Sequence, residues 1–556
     1  MSRTGTLNWQ KCPWRSSLQL VRLTVTLVLA MSCSEAASAD TLETDTPAGS
    51  KAKNPAAIGY GNLPADFSAP IASMDVHGEL PRWLNGSLYR NGPAWWNEQR
   101  LNHWFFGLAM VHAFHISDGK ISYRNQYLRT SVYNQFLVSD QCSDEQQHPS
   151  QSHMMSQDEG TQPAKQECNR GEKSEPESIN TAVTIRRVAG HLLANAGSMS
   201  SNEFHAEDLS TLHAPFSFQD DMQLFRSSSH AHTDLDGTIV HFYYIDGPQP
   251  AYQFYTIAAG TMSRQRLGAP LQVNNAANAP VFMHSFALTE HYAILSEIPA
   301  FLAMDFHQAK FFPTWNAKWR IVNRQTGEEL DIQLESAGFM MYHHINAYED
   351  INENGEAEIV VDVASFPDMD SLQAMFIDSL INRPEELMDS FYRGAPHRYR
   401  LPLSPEKRGT LVQGEKLWDG PIELPTIAYE QYNTKKYTYF YGISATEGKS
   451  VFVDRLVKVD VDAASRQGNS NGALSASWEA DNCYPGEPVF VSRSQSAAED
   501  DGVILSLVLN AAEEHSFLLV LDGKSFTEIA TVPLTYAVPF GFHGRHYFNT
   551  TATASE

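Results

Sequence analysis

The chain has 556 residues, of which 42% are hydrophobic and 19% charged, and its formal net charge is −25. That is the composition of a globular protein with enough apolar material for a large core. The acidic balance argues against a nucleic-acid partner, because such proteins present a basic face and no lysine- or arginine-rich run occurs in the part expected to fold.

Taken in order, the chain begins with a targeting pattern. Arg3, Lys11, Arg15 and Arg22 precede the apolar run LTVTLVLAMSC, and SEAASAD follows, with small residues at Ala37 and Ala39. A basic region, a short apolar region and an A-x-A site together read as a signal peptide over residues 1–39, cleaved before Asp40. The expected location is therefore secreted or periplasmic, with membrane association as a variant. An uncleaved anchor is the competing reading, but the apolar run is short for a bilayer. Cys33 suggests a lipid-modified terminus, yet Ala30 stands where a larger aliphatic residue is expected. No second run of about 20 apolar residues follows, so no membrane span is expected in the mature chain. Residues 40–58 read as a disordered polar linker, and residues 59–552 as a single folded domain. Outside the targeting segment the cysteines are Cys142, Cys168 and Cys483. Their spacing fits neither a disulfide framework nor a zinc motif.

Residues 139–180 are rich in Gln, Ser, Glu and Asp and poor in aliphatic side chains, and read as a disordered acidic insertion. Its His148 and His153 are poor ligand candidates. The rest is dominated by short runs rich in β-branched and aromatic residues: GTIVHFYYI, HYAILSEI, AEIVVDVASF, KYTYFYGIS, SVFVDRLVKVDV, GVILSLVLN and HSFLLVLDG. The clearest helical stretch is MDSLQAMFIDSLINRPEELMDSFYRG, broken at Pro384. Many short strands in one long chain indicate a sandwich array or a propeller, and no repeat at propeller period chooses between them.

Four histidine-bearing segments lie in or beside strand-like runs: SSSHAHTDLDG (His230, His232), VFMHSFALTE (His284), MYHHINAYED (His343, His344) and VPFGFHGRHYF (His543, His546). Imidazole suits Fe, Zn, Cu and Ni. A chain with 21 histidines holds several that merely pack, and a lone histidine is usually structural. In a strand, neighbouring side chains point to opposite faces, so His343 and His344 cannot both reach one ion.

These segments, with GSLYRNGPAWW, HWFFGLAMVHAFHISDGKISYRNQYLRT and YPGEPVFVSRSQSAAEDDGVILSLVLN, resemble the carotenoid cleavage oxygenase family over about residues 60–550. The resemblance implies an all-β fold, a seven-bladed β-propeller with a cap of loops and helices over an axial iron site. It implies Fe(II) held by His230, His284, His343 and His543, with His232 in reserve for the first place. His343 is chosen over His344 because Asn346 follows it in the family's His-x-x-Asn pattern. Glu423 and Glu487 match two of three glutamates that orient such histidines. Gly197 stands where the third is expected, with Glu203 nearby, and Phe106 stands where an aspartate is usual. These are departures from the pattern.

The implied activity is that of a non-haem Fe(II) dioxygenase cleaving a C=C bond of a carotenoid or apocarotenoid with O2 into two carbonyl products. The partners expected are an apolar polyene and O2, with peripheral membrane contact for substrate uptake and a monomeric state. The aromatic segments GPAWW, HWFF and AKFFPTWNAKW are tunnel or core material. The alternatives are a stilbenoid-cleaving dioxygenase of the same family, a retinoid isomerase, and a non-catalytic propeller that binds an apolar ligand. The first is disfavoured because no lysine follows the YLRT segment, and the second because the acidic insertion replaces the isomerase's membrane-associating segment.

Overall fold

The computed structural model describes residues 54–549, apart from 65–66, 98–100, 137–179, 198–199, 214, 223–225, 303–305, 449 and 464–472. The expected signal peptide, most of the expected linker and nearly all of the acidic insertion lie outside these residues. The last five residues of the stretch read as a linker belong to the fold. The side chain of Asn54 accepts a hydrogen bond from Ala56 N and donates to Leu380 O at 2.7 Å, and Ala56 is fully buried.

Seven mainly antiparallel sheets form the blades of a β-propeller, as the family resemblance implies. Blade 1 holds Gly86–Pro93, Ala109–Ser117 and Lys120–Tyr127, with Gly544–Tyr547 from the far end of the described chain as its inner strand. Blade 2 holds Thr184–Val188, His191–Asn195, Ser201–Phe204 and Thr211–His213. Blade 3 begins with Arg226–Ser227 and His232–Thr233 and continues through Ile239–Ile245, Ala251–Ile257 and Arg264–Gln272. Blade 4 holds Ala287–Leu288, Tyr292–Glu297, Ala317–Asn323 and Leu334–Ser336; blade 5 holds Met340–Ile351, Ala357–Phe366, Ala395–Pro402 and Gly414–Lys416. Blade 6 runs from Glu423–Thr426 through Tyr439–Ser444 and Arg455–Asp460 to Leu474–Glu479. Blade 7 begins with Cys483–Pro485 and Val489–Ser492, continues through Gly502–Asn510, His515–Asp522 and Glu528–Pro533, and takes His77–Gly78 on its outer edge.

Local chemistry makes the hairpins. Asp118–Gly119 joins two strands of blade 1 with φ of 50° and 71°, and Ala189–Gly190 does the same in blade 2 with 47° and 92°. Two successive positive φ values make the primed turns whose twist matches that of the flanking strands, and glycine takes the second place in each. The ring closes where Ser87 pairs with Tyr547 and Arg90 with Gly544, so no inner edge is left unpaired there.

Packing lies between the blades. Leu88 and Phe114 of blade 1 meet Val503, Leu505, Leu518 and Val520 of blade 7, all essentially inaccessible. Each such side chain contributes about 1.5–3 kcal/mol by burial. Polar residues also join blades. Asp362, fully buried, accepts two 2.8 Å hydrogen bonds from Arg398 within blade 5 and a 2.7 Å bond from the Tyr437 hydroxyl beside blade 6.

The helical stretch between strands of blade 5 splits into Asp370–Ala374, Ile377–Asn382 and Pro384–Phe391, and Pro384 opens the third helix instead of interrupting one. These helices meet the short turn Trp104–Phe106 through Trp104 N to Met375 O at 3.0 Å and Ile377 N to Asn102 O at 2.8 Å, and the turn Pro55–Tyr60 through its cap Asn54, which donates to Leu380 O. Together they form a cap at one end of the ring.

Asp362→Ala strands a buried guanidinium and a buried phenol together. We expect a loss of about 3–5 kcal/mol in the free energy of urea unfolding, whereas the double change Asp362→Ala with Arg398→Met loses less.

Candidate metal centre

Four inner strands each bring one imidazole to the axis. His230 sits between the two short inner segments of blade 3, His284 just before the inner strand of blade 4, His343 within that of blade 5, and His543 just before that of blade 1. One nitrogen from each lies within 4.8 Å of the others. Nε2 of His230 is 3.0 Å from Nε2 of His284, and Nε2 of His343 is 3.3 Å from Nε2 of His543. An ion about 2.1 Å from each nitrogen spaces adjacent ligands between about 3.0 and about 3.4 Å apart. Both distances fall in that range.

The alternation argument for MYHHINAYED is realised. His343 faces the axis. His344 points away, with Nδ1 2.8 Å from the Ser285 hydroxyl and Nε2 3.0 Å from that of Ser296. Irregular register on both sides of His344 lets this long strand pass the axis and still pair with its neighbour. Asn346 anchors the same strand to the next blade by donating to Tyr432 O and Lys435 O, each at 3.0 Å. His232, the reserve candidate, is turned to Tyr429 Oη and Phe286 O, both at 3.0 Å. His546 lies beyond the ring against Phe548.

Two of the four imidazoles are oriented by carboxylates. Nδ1 of His343 is 2.5 Å from Glu423 Oε2, which also accepts from Leu424 N at 2.9 Å. Leu424 has a φ of 46°, a costly conformation for a branched residue, so the backbone is bent to bring this carboxylate in. Nδ1 of His543 is 2.6 Å from Glu487 Oε1, and Oε2 of Glu487 accepts from Arg90 at 2.8 Å and Gly544 N at 2.7 Å. Burial pushes the Glu487 carboxyl up, but His543 and Arg90 outweigh it and hold it below the usual range. With Nδ1 engaged by a carboxylate, each ring offers Nε2 as a lone pair to the axis.

Among the described residues, no carboxylate pairs with His230 or His284. Their support is backbone: His230 N donates to the Ser228 hydroxyl at 2.9 Å, and that hydroxyl donates to His284 O. Gly197 lies in the same neighbourhood, since its carbonyl accepts from Ser227 N at 3.1 Å. A Cβ built there would meet only Ser227 O, at 3.6 Å. The nearby Glu203 is 2.6 Å from Nδ1 of His191, on a neighbouring strand of blade 2. Phe106 packs on His103 and Phe306 in the cap.

Burial, and then the neighbouring imidazoles, hold His230 and His284 well below the ordinary histidine value. Burial also lowers His543 despite the opposing pull of Glu487. Four rings with converging nitrogens, two of them backed by buried carboxyl groups, fit a divalent cation. One oxygen of Glu423 is buried without a hydrogen-bond partner, and a nearby positive charge would offset that cost.

On the cap side, aromatic rings crowd the histidines. Tyr342 and Phe282 lie 5.7 and 5.9 Å from His284, and Phe105 lies 5.4 Å from Phe542 and 6.2 Å from Tyr342. These walls escaped the sequence reading, which saw aromatic clusters with no means of telling lining from core.

The profile of the retinal pigment epithelial membrane protein family matches residues 62–547. The chain is 28% identical to a carotenoid-cleaving dioxygenase of Mustela putorius furo, over 85% of this chain and 93% of the relative. It is 26% identical to a β,β-carotene 15,15′-dioxygenase of Gallus gallus, over 84% and 94%. Similar solved structures include a variant of the Synechocystis apocarotenoid oxygenase, with a TM-score of 0.69 at 22% identity over 90% of this chain and all of that one. A cobalt-substituted form of the same oxygenase matches with a TM-score of 0.68 over 89% and 99%. The expectation of a secreted or periplasmic protein is corrected here: the Mustela relative and a human one, 27% identical, are both named as mitochondrial. An apolar run behind basic residues resembles an export signal whichever membrane it addresses, so the pattern does not discriminate among compartments.

His343→Ala is expected to abolish metal binding, measured as metal per chain by elemental analysis, while His344→Ala largely retains it. Glu487→Gln is expected to weaken metal affinity about 10–100-fold without unfolding the protein.

Proposed function

The chain belongs to the retinal pigment epithelial membrane protein and carotenoid oxygenase family, and on that premise we propose that it is a non-haem Fe(II) dioxygenase. It would cleave one C=C bond of a carotenoid or apocarotenoid with O2 and release two carbonyl products. The observation that carries this reading is the meeting of four imidazole nitrogens within 4.8 Å beneath a wall of aromatic rings.

His230, His284, His343 and His543 would hold the iron. When bound, the iron supplies the electron chemistry that makes O2 reactive toward a double bond. Four neutral imidazoles leave the ion's double positive charge undiminished in the site itself, and the negative charge sits one bond further out on Glu423 and Glu487. Those two carboxylates keep the His343 and His543 rings in the tautomer that presents Nε2 inward. Arg90 shares the charge of Glu487 and fixes its second oxygen, so the His543 ring cannot swing.

The cap side does the binding. Phe105, Phe282, Tyr342 and Phe542 offer apolar surface to a polyene and exclude water from the reacting bond. Tyr342 ties this wall to the cap through the Ser371 hydroxyl at 3.2 Å, directly before His343 in the chain. Depth of insertion along the aromatic wall would select the double bond.

The test is to incubate the iron-loaded protein with β-carotene, an apocarotenal and a hydroxystilbene under 18O2. Labelled aldehydes from a polyene are expected. Aldehydes from the hydroxystilbene alone would replace the reading with stilbenoid cleavage, and intact iron with no product from any of the three would end it.

A further inference from the structure

The face that blade 1 turns to blade 2 is apolar for most of its length, with Val111, Ala113 and Leu128 packed among Ile185, Leu192 and Phe204. Near the Asp118–Gly119 hairpin, at the end away from the cap, that chemistry changes. Tyr547 pairs with Ser87, Ser87 with His115 and His115 with Ser122, one residue from each strand of the blade. Residues directly opposite one another point to the same face, so these four make a polar row across the sheet. Within the row the Ser87 hydroxyl lies 2.8 Å from Nδ1 of His115.

The row forms one wall of a cavity of about 790 Å³ between the two blades. Small-molecule sites run from about 300 to about 1,000 Å³. Two cations line the same cavity: Arg124, two residues past Ser122 and so on the same face, and Arg187 from the inner strand of blade 2. The Arg187 guanidinium lies 4.3 Å from the centre of the Tyr547 ring. That stacking occupies its flat face and leaves its N–H edge free.

Donors outnumber acceptors in this space. Among the described residues, neither Arg124 nor Arg187 makes a hydrogen bond or an ion pair. Glu207 on the cavity wall is exposed and pairs with neither, and the neighbouring Asp208 accepts from Ser210 N at 3.0 Å and from the Ser210 hydroxyl at 2.7 Å. The Tyr547 hydroxyl is buried with no hydrogen-bond partner, and the Tyr89 hydroxyl reaches only Ala206 O, at 3.4 Å. Burial, and then the Arg124 charge, hold His115 below the ordinary histidine value, so it adds no third positive charge at neutral pH. A guanidinium cannot shed its proton, so two of them and a spare phenol facing one cavity require an acceptor from outside the chain.

We propose that the cleft between blades 1 and 2 binds a small organic phosphate monoester, its phosphate held by Arg187, Arg124 and the Tyr547 hydroxyl. Two fixed positive charges match the charge of about −2 on such a group, and the planar fork of a guanidinium matches its oxygens. The cavity exceeds what a bare ion fills, and the rings of Tyr89, Tyr547 and the 46% exposed Phe548 give it apolar wall for an organic portion. The site is separate from the metal centre. Tyr547 follows His543 by four residues along an extended strand, which places it roughly 13 Å away.

Equilibrium dialysis of phenyl phosphate against the full chain, metal-free and iron-loaded, tests this at constant ionic strength. We expect one saturable site per chain with the same affinity in both forms. Arg187→Met should weaken it about tenfold or more, and Arg124→Met and Tyr547→Phe each by several-fold. Arg187→Lys should retain part of the affinity, and Arg383→Met on the cap should change nothing. Inorganic phosphate should bind several-fold more weakly than the ester, and benzyl alcohol, the same ring without the charge, should show no saturable binding. No saturable site for phenyl phosphate, binding only in the iron-loaded form, equal affinity for inorganic phosphate or benzyl alcohol, or wild-type affinity in both Arg187→Met and Arg124→Met would overturn the proposal. If Arg187→Met does not fold, Tyr547→Phe and Arg124→Met decide, since the first removes one oxygen and keeps the ring under its guanidinium.

Discussion

Everything else in the molecule answers to one geometric demand: four imidazole nitrogens, from residues far apart in the chain, must meet within 4.8 Å. A flat sheet cannot do this, because strands spaced about 4.8 Å apart carry their side chains away from one another. A closed ring of sheets can, because every inner strand then faces the same line. The closing step is the pairing of Gly544–Tyr547 with Gly86–Pro93, and it does two things at once. It removes the open edge of the ring, and it delivers His543, the residue directly before that strand, to the three histidines already in place. Closure of the fold and completion of the site are one event.

The second demand is electrostatic. Stripping imidazoles of water favours their neutral form, which is the form that offers a lone pair, so burial serves the site directly. The same burial penalises Glu423 and Glu487. Each is retained by a specific compensation: Arg90 and the Gly544 amide for Glu487, the strained Leu424 backbone for Glu423. The ring is therefore asymmetric. His343 and His543 have carboxylate support, and His230 and His284 lean on the hydroxyl of Ser228 and the backbone around Gly197. The open space at Gly197 means that no side chain is displaced by the missing carboxylate; the position simply lacks one.

Much of this was legible in the amino-acid sequence, and the limits have physical reasons. Period-two alternation separated His343 from His344 before any coordinates, because a strand offers each face only every second residue. The strand runs were readable for the same reason. The propeller itself was not readable from periodicity: its strands range from two to twelve residues, and blade 5 carries three helices between two of its strands, so no repeat length survives. Only the family resemblance supplied the ring. Aromatic lining could not be told from aromatic core, since both bury rings, and Phe105 and Phe282 pack against the main core while also lying beside the site.

On the cap side the histidines face aromatic carbon, which can hold a polyene but cannot solvate an ion. A divalent ion at the histidine ring would therefore see a low-dielectric wall on the cap side. That makes departure of the ion toward the cap unfavourable, and the carboxylates that attract it stand behind the rings they orient.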